Sequence, residues 1–209
     1  MPAIETLIPF LGISLLLALT PGPDNVFVLL QSAMHGARAG AVIVLGLCTG
    51  LLVHTTVVAV GLGAVLAAST LAFTILKIAG ALYLAYLAWK AFRAPVGSQV
   101  GSASEREPAR RAYVRGVLMN LMNPKVVIFF LAFLPQFVVA RSGTSPAVQL
   151  LVLGLAFTAA TFVSFTAIAW FSGAFGTNFM RSPRLQRALN WSAGLVFLAL
   201  AIKLAISQQ

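Results

Sequence analysis

LALTPGPDNVFVLLQ, residues 17–31, breaks an otherwise apolar run with two prolines, a glycine and an acid. Pro21 and Pro23 have no amide proton and clash with the preceding helical turn. Gly22 between them bends freely. The break frees carbonyls and amides that lipid cannot satisfy, and such backbone is tolerated only where it faces protein or a water-filled cavity. Asp24 follows at once and is the only acid in the interior of any apolar run. A charge at the bilayer centre costs about 2.5 kcal/mol or considerably more, which makes an intramembrane acid a functional candidate. Asp24 stands 14 residues before Arg38, or about 20 Å of helix at about 1.5 Å per residue, which is near mid-depth. A competing reading ends the first span at residue 20 and makes Asp24 the N-cap of a surface helix.

The whole chain has this apolar character. Of 209 residues, 60% are hydrophobic and only 9% charged, against about 25% charged in soluble domains. This composition predicts an all-α integral membrane protein. Six runs suffice to cross a bilayer, roughly 4–31, 40–67, 70–92, 113–140, 147–174 and 187–206. Only AAST separates the second and third, which predicts a tight helical hairpin. The stretch 93–112, rich in proline, glycine, serine and charge, reads as a flexible linker.

The net charge of +10 would suggest nucleic acid in a soluble protein. Here the basic residues are confined to short connections, so topology explains them. Ten of the fourteen fall in the first, third and fifth connections: Arg38; Lys90, Arg93, Arg106, Arg110, Arg111 and Arg115; Arg181, Arg184 and Arg187. The positive-inside rule then puts the linker in the cytoplasm and both termini outside. If the first run does not cross fully, the N-terminus moves inside. MPAIETLIPF lacks the basic start of a cleaved signal peptide. The single cysteine, Cys48, reads as a buried structural thiol.

A second break lies in NLMNPKVVIFFLAFLPQF (120–137). Asn123 followed by Pro124 reads as an N-cap and first helical position. A half-helix starting there turns its positive end and bare amides inward. Lys125, ten residues past Arg115, is also near mid-depth and needs a partner, for which Asp24 is the natural candidate. A kinked helix with a snorkelling lysine is the competing reading. Asn25, Asn120 and Asn123 add polar groups. Odd numbers of spans on either side of the linker force the second half upside down. The chain therefore divides into repeats at 1–92 and 113–209, with the weak likeness of AGALYLAYLAWK (79–90) to AGLVFLALAIK (193–203) in support. Paired broken helices in inverted repeats mark the binding site of many secondary transporters.

Other candidates are less specific. In GLCTGLLVHTT (46–56), Gly46 and Gly50 offer a flat face for close helix packing. Thr49 and His54 read as cavity-lining candidates, with packing as the plainer role. The small-residue pair in GARAG (36–40) falls in a predicted loop. Tyr83 and Tyr86 are placed toward the interior or, with Trp89, Trp170 and Trp191, in an interfacial belt or in packing. The sequence has no metal-ligand spacing, no phosphate-binding glycine loop and no hydrolytic triad pattern. No cofactor, metal or nucleic acid is expected.

LTPGPDN (19–25), GLCTGLLVHT (46–55), KIAGALYLAYLAWKAFR (77–93) and RGVLMNLMNPKVVIFFLAFLPQF (115–137) together resemble the LysE/RhtB family of amino-acid exporters. The resemblance implies a bacterial inner-membrane protein of about six spans, often a homodimer. It implies export of amino acids such as lysine, arginine, threonine, homoserine or leucine, driven by the proton gradient. The family motif falls on Pro21, Gly22, Pro23 and Asp24, and on Asn123, Pro124 and Lys125.

The expectation is a non-enzymatic transporter with alternating access. Asp24 takes the substrate ammonium or the coupling proton, and Lys125 and the half-helix amides take the carboxylate. Two other classes compete, a membrane-embedded enzyme of lipid head groups and a membrane scaffold without transport.

Overall fold

The computed structural model describes residues 4–20, 22–68, 70–94, 107–139, 143–179 and 182–206. Pro21 and most of the linker lie outside the described residues. Those described fold entirely as helices and short connections. The helices are α1 (Ile4–Leu19), α2 (Pro23–His35), α3 (Ala37–Ala68), α4 (Thr70–Phe92), α5 (Ala109–Leu121), α6 (Pro124–Ile128), α7 (Pro146–Phe179) and α8 (Pro183–Ile206). A π-helical turn, Phe129–Phe133, and a 3-10 turn, Leu134–Phe137, continue α6.

Three helical stretches are long and apolar enough to cross a membrane: Ala37–Gly61, Pro146–Ser172 and Gln186–Ile206. The two proline breaks produce two bent pairs. α1 and α2 meet at 60°, and α5 meets the segment Pro124–Phe137 at 48°. Counting each bent pair as one span gives five among the described residues. The remaining apolar run is α4, 23 residues with the expected boundaries.

The centre of the fold is α3, which packs along both α5 and α7; α7 in turn packs along α2 and α1. α4 pairs with α8 and reaches the centre through α6 and the π-turn. The expected α3–α4 hairpin is therefore corrected. Among the described residues the two helices touch little, and each has a more extensive partner elsewhere.

Small residues permit these approaches. A Cβ built on Gly46 would fall on the Tyr113 carbonyl, and one on Gly116 would stand 2.6 Å from the Ile43 carbonyl. A Cβ on Gly50 would meet Asn120 at 2.7 Å. The flat face expected of Gly46 and Gly50 is thus the α3–α5 seam, where backbone lies on backbone. Gly40 belongs to α3 rather than a loop, and it too lies against Ser32 and Ala169. Gly80 meets Ala132, and Gly194 meets Phe92, so the AG pairs of the two similar stretches serve packing around α4 and α8. Tyr86, Trp89, Trp170 and Trp191 are exposed on the helix surfaces, as a belt requires.

Replacing Gly46 with Val is expected to lower stability by roughly 1–3 kcal/mol, the usual cost of overpacking. Gly61, where an added Cβ meets nothing within 4 Å, serves as the control. Thermal unfolding in detergent should show Gly46→Val well below wild type and Gly61→Ala close to it.

Candidate functional site

The last four carbonyls of a helix have no partner within it. At the end of α1 the Leu16 carbonyl accepts from Thr20 N at 2.9 Å and from Thr20 Oγ1 at 2.6 Å. Those that follow are satisfied from across the break. Asn25 Nδ2 donates to the Ala18 carbonyl at 2.6 Å. Lys125 Nζ donates to the Leu17 carbonyl at 3.1 Å and to the Thr20 carbonyl at 3.3 Å. Gly22 starts α2 in an extended conformation, and a Cβ on it would stand 3.4 Å from Lys125 Nζ. The first break therefore lies directly against a side chain of the second.

The second break is organised by Asn123. Its backbone is extended (φ −77°, ψ 107°), and its Oδ1 accepts from Lys125 N at 3.0 Å. Its carbonyl accepts from Val126 N and Val127 N, both at 3.0 Å. The amides expected to be bare at this helix start are thus already taken, since the asparagine cap supplies their acceptors. The other end of the same side chain points to the first break, where Asn123 Nδ2 donates to Asp24 Oδ2 at 2.7 Å.

Asp24 and Lys125 are both buried, 3% and 7% exposed. They form no direct ion pair; the ion pair found among the described residues is Arg115–Glu107, at 3.6 Å. Asn123 lies between the two residues: its Nδ2 donates to the Asp24 carboxylate, and its Oδ1 accepts from the backbone N of Lys125. Three acceptor atoms around the breaks, Asp24 Oδ1, Asn25 Oδ1 and Asn120 Oδ1, are buried with no hydrogen-bond partner among the described residues. An unmet buried acceptor is costly. Three together make a site short of donors.

A cavity of about 440 Å³ opens on this cluster. Gly22, Pro23, Asn123, Pro124 and Lys125 line its inner end, and Tyr83, Leu87, Val26, Ala193 and Phe197 form its walls. Lys90, Ala94 and Asn190 lie toward the linker end of α4 and the start of α8. The residues that follow the second break pack into an apolar core instead. Phe10, Phe129, Phe130, Phe133, Phe137 and Phe157 are all buried. Their rings are in contact, with Phe129 and Phe157 stacked at 4.6 Å and Phe10 and Phe137 edge-on at 5.0 Å.

Of the residues singled out in the sequence, Gly22, Pro23, Tyr83, Asn123, Pro124 and Lys125 meet in one cavity. Asp24, Asn25 and Asn120 are buried behind it. Thr49 and His54 are set apart. Thr49 Oγ1 bonds Tyr113 Oη at 2.8 Å across the α3–α5 seam. His54 Nε2 reaches the Asn120 carbonyl at 3.4 Å, and its ring lies beside Phe130. Lys90, Asn190 and Phe197 were not singled out. A lone asparagine inside an apolar run was the legible signal for Asn190, whereas nothing local marks Phe197.

The model of the LysE type translocator family matches residues 15–208. The chain is 32% identical to a homoserine/homoserine lactone efflux protein of Salmonella typhi, over 94% of each chain. It is 33% identical to the homoserine/homoserine lactone efflux protein of Salmonella typhimurium, again over 94% of each. A leucine efflux protein of Klebsiella pneumoniae is 29% identical over 91% of this chain and 90% of its own. No solved structure matches. The broken spans, the cavity at their crossing and the match over nearly the whole length agree: the chain belongs to the LysE type translocator family, and is a membrane transporter rather than an enzyme.

Proposed function

We propose that this translocator exports a neutral amino acid or a close derivative from the cytoplasm in exchange for protons, by alternating access around the two breaks. The observation that carries the reading is the buried junction of residues about a hundred positions apart. Asn123 binds Asp24, and Lys125 binds the carbonyls of Leu17 and Thr20. Breaks that meet in this way create a polar site inside apolar surroundings, which a scaffold has no use for. The efflux activities of the relatives point to amino acids, and the homoserine and leucine transporters among them to neutral ones. The cavity walls agree, since Val26, Leu87, Ala193 and Phe197 are apolar and the charged lining residues are the lysines Lys90 and Lys125. A cationic side chain would find no acid in that lining.

Two features support alternating access between inverted halves. The helix starts after the breaks share one pattern. Gly22 and Asn123 are N-caps, Pro23 and Pro124 follow at the first helical position, and the charged residues Asp24 and Lys125 come next. The packing repeats likewise: α3 lies on α5 much as α7 lies on α2 and α1, while α4 and α8 pair with each other. With the linker in the cytoplasm, the cavity faces inward, and the phenylalanine cluster closes the outer half.

Asp24→Asn keeps the shape but cannot carry a proton. Reconstituted in liposomes with an imposed pH gradient, it is expected to lose at least about tenfold of wild-type export, the scale of a lost proton-transfer group. Full export by this variant, independent of pH, would remove the acid from the mechanism. Ala91, on the cavity wall, tests the orientation. In a Cys48→Ala chain, Ala91→Cys should react with a membrane-impermeant maleimide from the cytoplasmic side and not from outside. The reverse pattern would invert the assigned topology.

A further inference from the structure

In a dry interior a buried ammonium is expected to seek the buried carboxylate, yet Lys125 Nζ goes elsewhere. It donates to two backbone carbonyls at the end of α1, at 3.1 and 3.3 Å, and stands over the Phe197 ring at 5.8 Å. Free carbonyls at the negative end of a helix and an aromatic face are what an alkylammonium ion binds. We infer that the Leu17 and Thr20 carbonyls with the Phe197 face form the subsite for the substrate's ammonium group, and that Lys125 fills it as a tethered stand-in while the carrier is empty. This rests on the exporter reading above and assigns one end of the substrate within it.

The site is built rather than incidental. The Ala18 carbonyl between its two acceptors is already fixed by Asn25 Nδ2 at 2.6 Å, so this helix end is held in place whether or not Lys125 is present. Asn25 Oδ1, buried and unpartnered, lies 3.7 Å from the same Gly22 Cβ position that lies 3.4 Å from Lys125 Nζ. Lys125 also lines the cavity, so an incoming substrate meets it directly. Its four-carbon stem is flexible enough to withdraw.

Exchanging one ammonium for another leaves the carbonyls satisfied throughout. The displaced lysine then needs an anion, and the substrate's own carboxylate arrives with the ammonium that displaced it. An amine without a carboxylate would leave two buried ammonium groups to share the single carboxylate of Asp24. The arrangement therefore favours zwitterions over cationic amines, a discrimination built from a penalty on the wrong ligand.

Propylammonium and propionate, one end of an amino acid each, test this on the full-length protein in nanodiscs. Wild type should show little binding of propylammonium, because its own lysine competes. Lys125→Met removes the competitor and should bind propylammonium saturably, with apparent affinity raised by about tenfold or more, since self-occupancy lowers apparent affinity by the unoccupied fraction. If Lys125→Met does not fold, Lys125→Ala replaces it, with propylammonium present during purification. Leucine and homoserine are the amino-acid probes: whichever binds wild type should lose affinity for Lys125→Met, because its carboxylate no longer meets an ammonium. No gain in propylammonium binding, or loss of propionate binding alone, would overturn the inference in favour of a simple carboxylate clamp. Leucine and homoserine binding unchanged between wild type and Lys125→Met would reduce Lys125 to a structural cap. Absence of any amino-acid export by wild type would instead sink the exporter reading, while the propylammonium titration still reports on the carbonyl site.

Discussion

The end of α1 is the constraint on which the rest of this structure depends. A helix stopped in the protein interior leaves carbonyls that neither apolar surroundings nor a continuing helix can satisfy. Here they are met by Thr20, Asn25 and Lys125. The last of these comes from the other half of the chain, so the first break is complete only when the second lies against it. That requirement sets the position of α6, and with it the α3–α5 seam. It also explains why backbone meets backbone there: Gly46 and Gly116 let α5 approach closely enough to bring Asn120, Asn123 and Lys125 to the junction.

The charges follow from the same geometry. A buried ion pair gains little unless its remaining donors and acceptors are also met. With Asn123 between them, Asp24 and Lys125 are each held by neutral polar groups and not locked to one another. A locked pair would have to be torn apart before any ligand could enter. The phenylalanine cluster shows the opposite solution, with apolar space closed by stacked and tilted rings. The chain there passes through π and 3-10 turns rather than regular α-helix. Such irregular turns inside helices often fall at functional positions, and this one lies between the polar junction and the closed face.

The parts of this design that obey local rules were legible in the sequence. Proline and glycine fix the breaks, Asn123 caps α6 as its identity suggests, and α4 spans the residues its apolar run marks out. Gly46 and Gly50 show as a packing face because the spacing alone says so. The pairing of groups was not legible, since it depends on three-dimensional distance. Asp24 as the direct partner of Lys125 was the economical choice among ionisable groups, but backbone carbonyls do not appear in a list of side chains. The α3–α4 hairpin failed for a similar reason, because short connections say nothing about which neighbour offers the larger surface. Tyr83 was found but Phe197 was not, although both line the cavity. An aromatic facing a cavity and one facing lipid look alike in a run of leucine and alanine.

The balance of charge and of hydrogen-bonding groups at the junction limits what can pass through it. Asp24 and Lys125, taken as ionised, leave the empty cluster neutral, and its unpartnered oxygens on Asp24, Asn25 and Asn120 are all acceptors. A ligand that suits it must bring donors without bringing net charge, because a net charge carried through a low-dielectric interior is costly. A neutral amino acid meets both conditions, with an ammonium for the acceptors and a carboxylate to keep the total at zero. A lysine or arginine substrate would add a second cation beside Lys125 and Lys90 with no acid in the cavity lining to offset it. A proton on Asp24 then changes the sum by one whether the site is full or empty. In the proposed proton exchange the acid would switch the charge of the site, and the group that couples transport would be separate from the groups that recognise the cargo.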